Sequence, residues 1–234
     1  MSKHLHRDLE SLEQDLLAQS AVVEQMIYRA ARSLSEQNSD LLAELMADEQ
    51  RVNRREVEIE EECLKLLALH QPVAVDLRRV TTVLKVNGDL ERVADLAVGI
   101  GERTTHLAEH PEATIPEGIY EMVELAVAMV RSSIDAFVRL DLDAARAVRR
   151  TDRSVDELHR SVIAELGEAV DDRGMCFAPA LDLYTVSRNV ERIADHATNI
   201  AEDVIYLVDG EIARHRPPSW TAGVKAEPWQ RPGF

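Results

Sequence analysis

Apolar residues return every three or four positions along most of the chain, as in Leu5, Leu9, Leu12 and Leu16, then Val23, Ile27, Ala30 and Leu34. That period puts them on one face of an amphipathic helix and predicts helices nearly throughout. Breakers are confined to a few places. Asn38-Ser39-Asp40 interrupts the first pattern and offers caps for a second helix ending near His70. Gln71-Pro72 forces a stop, because proline has no N–H to donate and disfavours helical geometry in the residue before it. A third helix then runs from about Val73 to Glu109. The segment 110–116 holds two prolines and reads as a linker. A fourth helix reaches about Leu140, with Asp141 or Asp143 as N-cap of the fifth. Asp171-Asp172-Arg173-Gly174 reads as a C-cap and turn, and the sixth helix spans about Ala178 to His215. Residues 216–234 carry four of the eight prolines and both tryptophans, without helical period. They are expected to form a flexible tail, or an appendage used on a partner. The expected architecture is all-α: a three-helix bundle at 1–109, the linker at 110–116, a second bundle at 117–215 and the tail at 216–234. Helices of about 30 residues are about 45 Å long, which suits elongated antiparallel bundles.

The strongest internal signal is a repeat. Glu91-Arg-Val-Ala-Asp-Leu-Ala-Val-Gly-Ile-Gly-Glu102 returns 100 positions later as Glu191-Arg-Ile-Ala-Asp-His-Ala-Thr-Asn-Ile-Ala-Glu202, identical at seven of twelve positions. Each copy lies in the last helix of its half, so the chain reads as a duplicated, pseudo-symmetric three-helix unit. A weaker pair sits in the middle helices: Glu49, Val52 and Asn53 against Asp152, Val155 and Asp156. On a helical wheel, Glu91, Asp95 and Glu102 fall within roughly 40° of one another. The apolar seam Val86, Leu90, Val93, Ala97, Ile100 centres roughly 170° away, and the second copy repeats the arrangement. Acids four apart repel unless a cation sits between them, and hard cations favour such convergent oxygens. With 43 acids in the chain, about eight such pairs would arise at random, so a single pair is only a solvated face. Recurrence in both halves, with partner acids on the neighbouring helix, is what points to metal. Arg92 and Arg192 read as salt-bridge or packing residues, and His196 as structural.

Composition narrows the classes. Lys and Arg number 27 against 43 Asp and Glu, a formal net charge of −16. That acidity argues against a nucleic-acid footprint and for cations or a basic partner. Only 4% of residues are aromatic and nine are glycine, which excludes a many-stranded reading. The longest uncharged stretch, Leu66 to Val75, is far short of the ~18 apolar residues of a membrane span. No signal-peptide core is evident, and Cys63 and Cys176 stand singly, so a reduced, cytoplasmic protein is expected. Phosphate-binding glycine loops and nucleophile motifs are absent.

Residues 71–78, Gln-Pro-Val-Ala-Val-Asp-Leu-Arg, together with Leu90-Glu91-Arg92-Val-Ala-Asp95 and Val190-Glu191-Arg192-Ile-Ala-Asp195-His196-Ala-Thr-Asn199-Ile200-Ala-Glu202, resemble the PhoU family. The likeness covers about residues 5–215. It implies two pseudo-symmetric three-helix bundles whose acidic motifs hold iron, or another divalent or trivalent metal such as Mn, Mg or Zn, at the surface. By that likeness Asp152, Asp156, Glu191 and Asp195, with Asn199 close by, make the complete set. Glu49, Glu91 and Asp95 make a poorer one, because Asn53 stands in place of an acid and Leu96 and Gly99 replace His and Asn. The resemblance further implies a cytoplasmic negative regulator of phosphate uptake and starvation signalling, peripheral to the membrane through its partners. Those partners would be the phosphate ABC transporter ATPase subunit and the sensor histidine kinase of the phosphate two-component system. A homodimer is the expected assembly. Two alternatives remain at this point: a ferritin-like di-iron oxidase, disfavoured because no histidine follows a Glu by three, and a metal-free helical adaptor.

Overall fold

The computed structural model describes residues 3–171 and 174–210, and the expected tail at 216–234 lies outside them. Six helices follow in order: α1 (Lys3–Glu36), α2 (Leu41–His70), α3 (Ala74–Leu107), α4 (Glu117–Arg139), α5 (Leu142–Asp171) and α6 (Phe177–Asp209). No strand occurs among the described residues.

The helix ends follow local chemistry. Gln71 takes left-handed geometry (φ 45°) and returns its N–H to the Leu67 carbonyl, so α2 closes just before Pro72. Leu140 does the same for α4 (φ 52°). Of the two acids foreseen as caps for α5, Asp141 takes the role: its Oδ1 accepts the N–H groups of Asp143 (2.9 Å) and Ala144 (3.0 Å). Asp143 itself lies inside the helix. Asp40 makes no side-chain cap; Asn38 Oδ1 instead accepts the Asp40 N–H at 3.0 Å. The sixth helix stops at Asp209 rather than near His215. Gly210 turns to φ 73° and gives its N–H to the Tyr206 carbonyl, a conformation only glycine takes without strain.

Within each half the three helices pack against one another, and the halves join through α3 against α6 and α1 against α4. The α3–α6 contact is the most extensive in the molecule. It runs antiparallel: Arg78 reaches the Leu207 carbonyl (3.3 Å), Lys85 pairs with Asp203 (2.9 Å), Asp89 with His196 (2.8 Å) and Arg103 with Asp182 (3.3 Å). The predicted seams, Val86, Leu90, Val93, Ala97 and Ile100 with Val186, Val190, Ile193, Ala197 and Ile200, are all buried. They belong to one continuous core shared by both bundles. With that stripe of each helix taken, the acids of the repeat have only the outer face left.

Two substitutions on α3 separate core from surface. Leu90 is fully buried, so Leu90→Ala is expected to cost about 2–5 kcal/mol in urea denaturation. Gly88 sits mid-helix with nothing within 4 Å of where a Cβ would stand. Gly88→Ala is therefore expected to gain about 0.4–1 kcal/mol by the same measurement.

Candidate functional site

In the second half, α5 supplies Asp152 and Asp156 and α6 supplies Glu191 and Asp195. Val155 between the two α5 acids, and Ile193 and Ala194 between the α6 pair, are buried, which pins the register of each pair toward the outside. The four carboxylates lie within electrostatic reach of one another. Asp152 is held above the usual carboxylate range by loss of water, then by Asp156; the Thr198 hydroxyl opposes, Glu191 adds, and Arg149 opposes. Asp195 reaches the surface, yet its carboxyl is pushed up to about 6, first by desolvation and then by Glu191, Asp152 and Asp156, against a weaker pull from His196.

The first half gathers a similar set. Glu91 is raised by partial burial, then by Asp95 and Glu56, with Arg92 opposing and Glu49 adding. Asp95 is raised by burial and by Glu49 across the α2–α3 contact, again against Arg92. Glu56 was not foreseen. It stands seven residues after Glu49, two turns along the same face of α2, and its own carboxyl is raised by burial and by Glu60. The spacing was the available signal. Its counterpart in the other half is His159, buried and hydrogen-bonded to Ser187 at 3.1 Å. Asn53 gives its amide Nδ2 to Glu49 Oε1 (2.6 Å), while its buried Oδ1 has no hydrogen-bond partner among the described residues.

Asn199 points elsewhere. It lines an open groove of about 570 Å³ between α3 and α6, with Asp89, Arg92, Asp195, His196, Thr198 and Glu202. Asp195 is the residue common to the groove and the carboxylate set. His196 is structural as foreseen, tied to Asp89 across the seam. Arg92 and Arg192 are exposed and close no ion pair among the described residues, contrary to the salt-bridge expectation. The buried cation is Arg149, paired with Glu202 at 3.2 Å, so Glu202 is drawn off the acidic stripe into an ion pair.

As donors, these side chains suit a hard cation: all oxygen, no thiolate, and the orphaned Asn53 carbonyl as a further acceptor. Among the described residues, however, no three His, Cys, Asp or Glu side chains stand close enough together to hold one ion as they are placed. The arrangement is two clusters of mutually repelling carboxylates, not two finished chelates.

Two copies of a three-helix unit, joined through their third helices with acids outside the core, define a duplicated all-α bundle protein. The PhoU domain family matches residues 16–104 and 119–204, one copy per half, and the chain belongs to that family. The phosphate-specific transport system accessory protein PhoU homolog of Pseudomonas putida is 35% identical over 218 residues, covering 92% of this chain and 84% of that protein. The homolog of Aquifex aeolicus is 36% identical over 212 residues, covering 91% of this chain and 96% of that protein. The crystal structure of PhoU from Pseudomonas aeruginosa aligns with a TM-score of 0.82 at 34% identity, covering 88% of this chain and 99% of that one. The phosphate transport system regulatory protein PhoU from Streptococcus pneumoniae aligns with a TM-score of 0.84 at 25% identity, covering 89% and 98%.

The raised carboxyl of Asp195 fixes a pH dependence. Its folded-state value of about 6 exceeds the unfolded 3.8, so the folded chain holds the proton more tightly. The stability this supplies is complete below about pH 3.8 and is lost as pH rises through about 6. In chelator-treated buffer, Asp195→Asn is expected to melt above the parent at pH 7.5, with the difference shrinking toward pH 4.5. Thermal denaturation followed by circular dichroism checks it.

Proposed function

We propose that the chain is a negative regulator of phosphate uptake and of the phosphate-starvation response, acting by binding rather than by chemistry. In this reading it works in the cytoplasm, as a homodimer peripheral to the membrane, on the ATPase subunit of the phosphate ABC transporter and on the sensor histidine kinase. The observation that carries it is the duplicated PhoU unit across both halves, in relatives named as accessory proteins of the phosphate-specific transport system. No helix among the described residues is long and apolar enough to cross a membrane, which agrees with attachment through partners. A regulator of this kind must favour one state of its partner, because equal affinity for both states shifts nothing. The acidic outer faces suit basic patches on such a partner.

The carboxylate clusters would hold hard metal ions, iron foremost. Asp152, Asp156, Glu191 and Asp195 would be the stronger site, without Asn199, which faces the α3–α6 groove; Glu49, Glu91 and Asp95, joined by Glu56, the weaker. Loading would draw the acids together and relieve the repulsion that raises Asp152 and Asp195. The second reading is a metal-free adaptor on the same partners. A ferritin-like oxidase has no support in a site whose acids face away from the core.

Metal content and thermal shift decide between the first two. The parent is expected to retain a divalent or trivalent metal and to melt higher with it. Asp156→Ala/Asp195→Ala is expected to lose most of both, and Glu49→Ala/Asp95→Ala less. A parent indifferent to every hard cation leaves the adaptor. The regulatory role is tested separately in a deletion strain, where phosphate-responsive genes are expected to stay on in phosphate-rich medium. Normal repression there would contradict it.

A further inference from the structure

The valley between α5 and α6 does not end with the carboxylates. Toward the α5–α6 turn it opens into a groove of about 270 Å³, lined by Ile163, Gly167, Val170, Phe177, Leu181 and Tyr184. Phe177, Leu181 and Ile163 are 72%, 51% and 40% exposed. Such clustering on an otherwise acidic surface marks a contact site. Gly167 lies in the body of α5, where glycine costs about 0.5–1 kcal/mol against alanine. Nothing stands within 4 Å of where its Cβ would be, so no packing inside the chain calls for it. What the glycine provides is room, a place where another backbone can approach closely.

The two ends of the groove differ in charge. Arg160 stands three residues before Ile163 on α5, and Arg188 four residues after Tyr184 on α6, so each lies one turn further along a face that lines the groove. Both are exposed, and neither closes an ion pair among the described residues. Arg160 gives its Nε–H to the Asp156 carbonyl of its own helix (3.1 Å). Two arginines without carboxylate partners stand out in a chain of net charge −16. The outer end carries the opposite sign, in Asp171. From Arg160 to Val170 the valley follows ten residues of α5, about 15 Å, the length of nearly three helical turns. Two adjacent helices with an apolar valley between them accept a further helix, as the fourth member does in a four-helix bundle.

We propose that the α5–α6 groove docks an amphipathic helix of a partner protein, its apolar side chains on Phe177, Leu181 and Ile163 and its carboxylates over Arg160 and Arg188. The partner segment is therefore apolar and acidic at its inner end, opposite in charge to anything the carboxylate clusters would attract. The groove lies beyond those clusters, so this docking holds or fails independently of metal binding and of the regulatory reading.

The probe is a pair of fluorescein-labelled helical peptides of about 18 residues on an alanine and glutamine background. Both carry leucines at i, i+3 and i+7, and they differ only in the turn before the first leucine, which holds two glutamates in one and two lysines in the other. Anisotropy titration with the full chain is expected to show saturable binding of the glutamate peptide, at least about tenfold tighter than the lysine peptide. The net charge of −16 favours lysine over the rest of the surface, so that order isolates the two arginines. Arg160→Glu/Arg188→Glu is expected to reverse it. Gly167→Leu fills the groove and raises helix propensity. It is expected to weaken the glutamate peptide at least about tenfold while melting no lower than the parent, which separates lost docking from lost fold. The proposal is overturned by a glutamate peptide that shows no saturable binding up to about 0.2 mM, by a lysine peptide that binds as tightly, or by binding that survives Gly167→Leu. Sedimentation that finds a parent dimer dissociated by Gly167→Leu overturns it too, since the occupant is then a second copy.

Discussion

The antiparallel burial of α3 against α6 is the constraint from which the rest of the molecule follows. A helix offers one circumference, and here Val86, Leu90, Val93, Ala97 and Ile100 commit one side of α3 to the core, as Val186, Val190, Ile193, Ala197 and Ile200 do for α6. Glu91 with Asp95, and Glu191 with Asp195, can then lie only on the opposite side. There they meet the acids of α2 and α5, which flank the same helices. The cost is repulsion among partly desolvated carboxylates, visible in the raised Asp95, Asp152 and Asp195. The core tolerates that cost because the seam supplies far more apolar burial than the acids take away.

The two sides of the middle of that seam are not alike, and the difference explains where the repeats diverge. On one side His196 pairs with Asp89, and Asn199 faces the adjoining groove. On the other side Asn189 is the counterpart of Asp89, and a Cβ on Gly99 would come within 2.9 Å of its Nδ2. Gly99 therefore keeps room for Asn189, and Leu96 fills with a buried side chain the position that His196 uses for an ion pair. These departures from the second copy are packing solutions. They leave the acidic pair Glu91 and Asp95 untouched on the other face.

Much of this was legible in the sequence. The period of apolar residues gave six helices with ends close to those observed, and the 100-residue offset located both copies of the acidic motif. What was not legible depended on a neighbour. Glu56 joins the first cluster only through the register of α2 on α3. Glu202 sits on the predicted acidic stripe, but Arg149 of α5 draws it into a buried ion pair. The early end of α6 turned on one residue: the apolar pattern continues past Gly210, but its positive φ turns the chain out of the helix. The choice of Asp141 over Asp143 was similarly fixed by backbone geometry that both acids could have supplied.

The proposed function makes a cation site of the second-half carboxylates, one that an ion would have to draw together. A cation that binds there must displace the proton that repulsion and burial keep on Asp195, whose carboxyl sits at about 6. Calorimetric titration of Mn²⁺ into chelator-stripped protein, repeated in buffers of different ionisation enthalpy, counts that proton. The account predicts binding that releases on the order of half a proton per chain from Asp195 at pH 6, falling toward none by pH 8 and clearly reduced in Asp195→Asn, where only the raised Asp152 remains. Binding without proton release at pH 6, or release undiminished in Asp195→Asn, would contradict it.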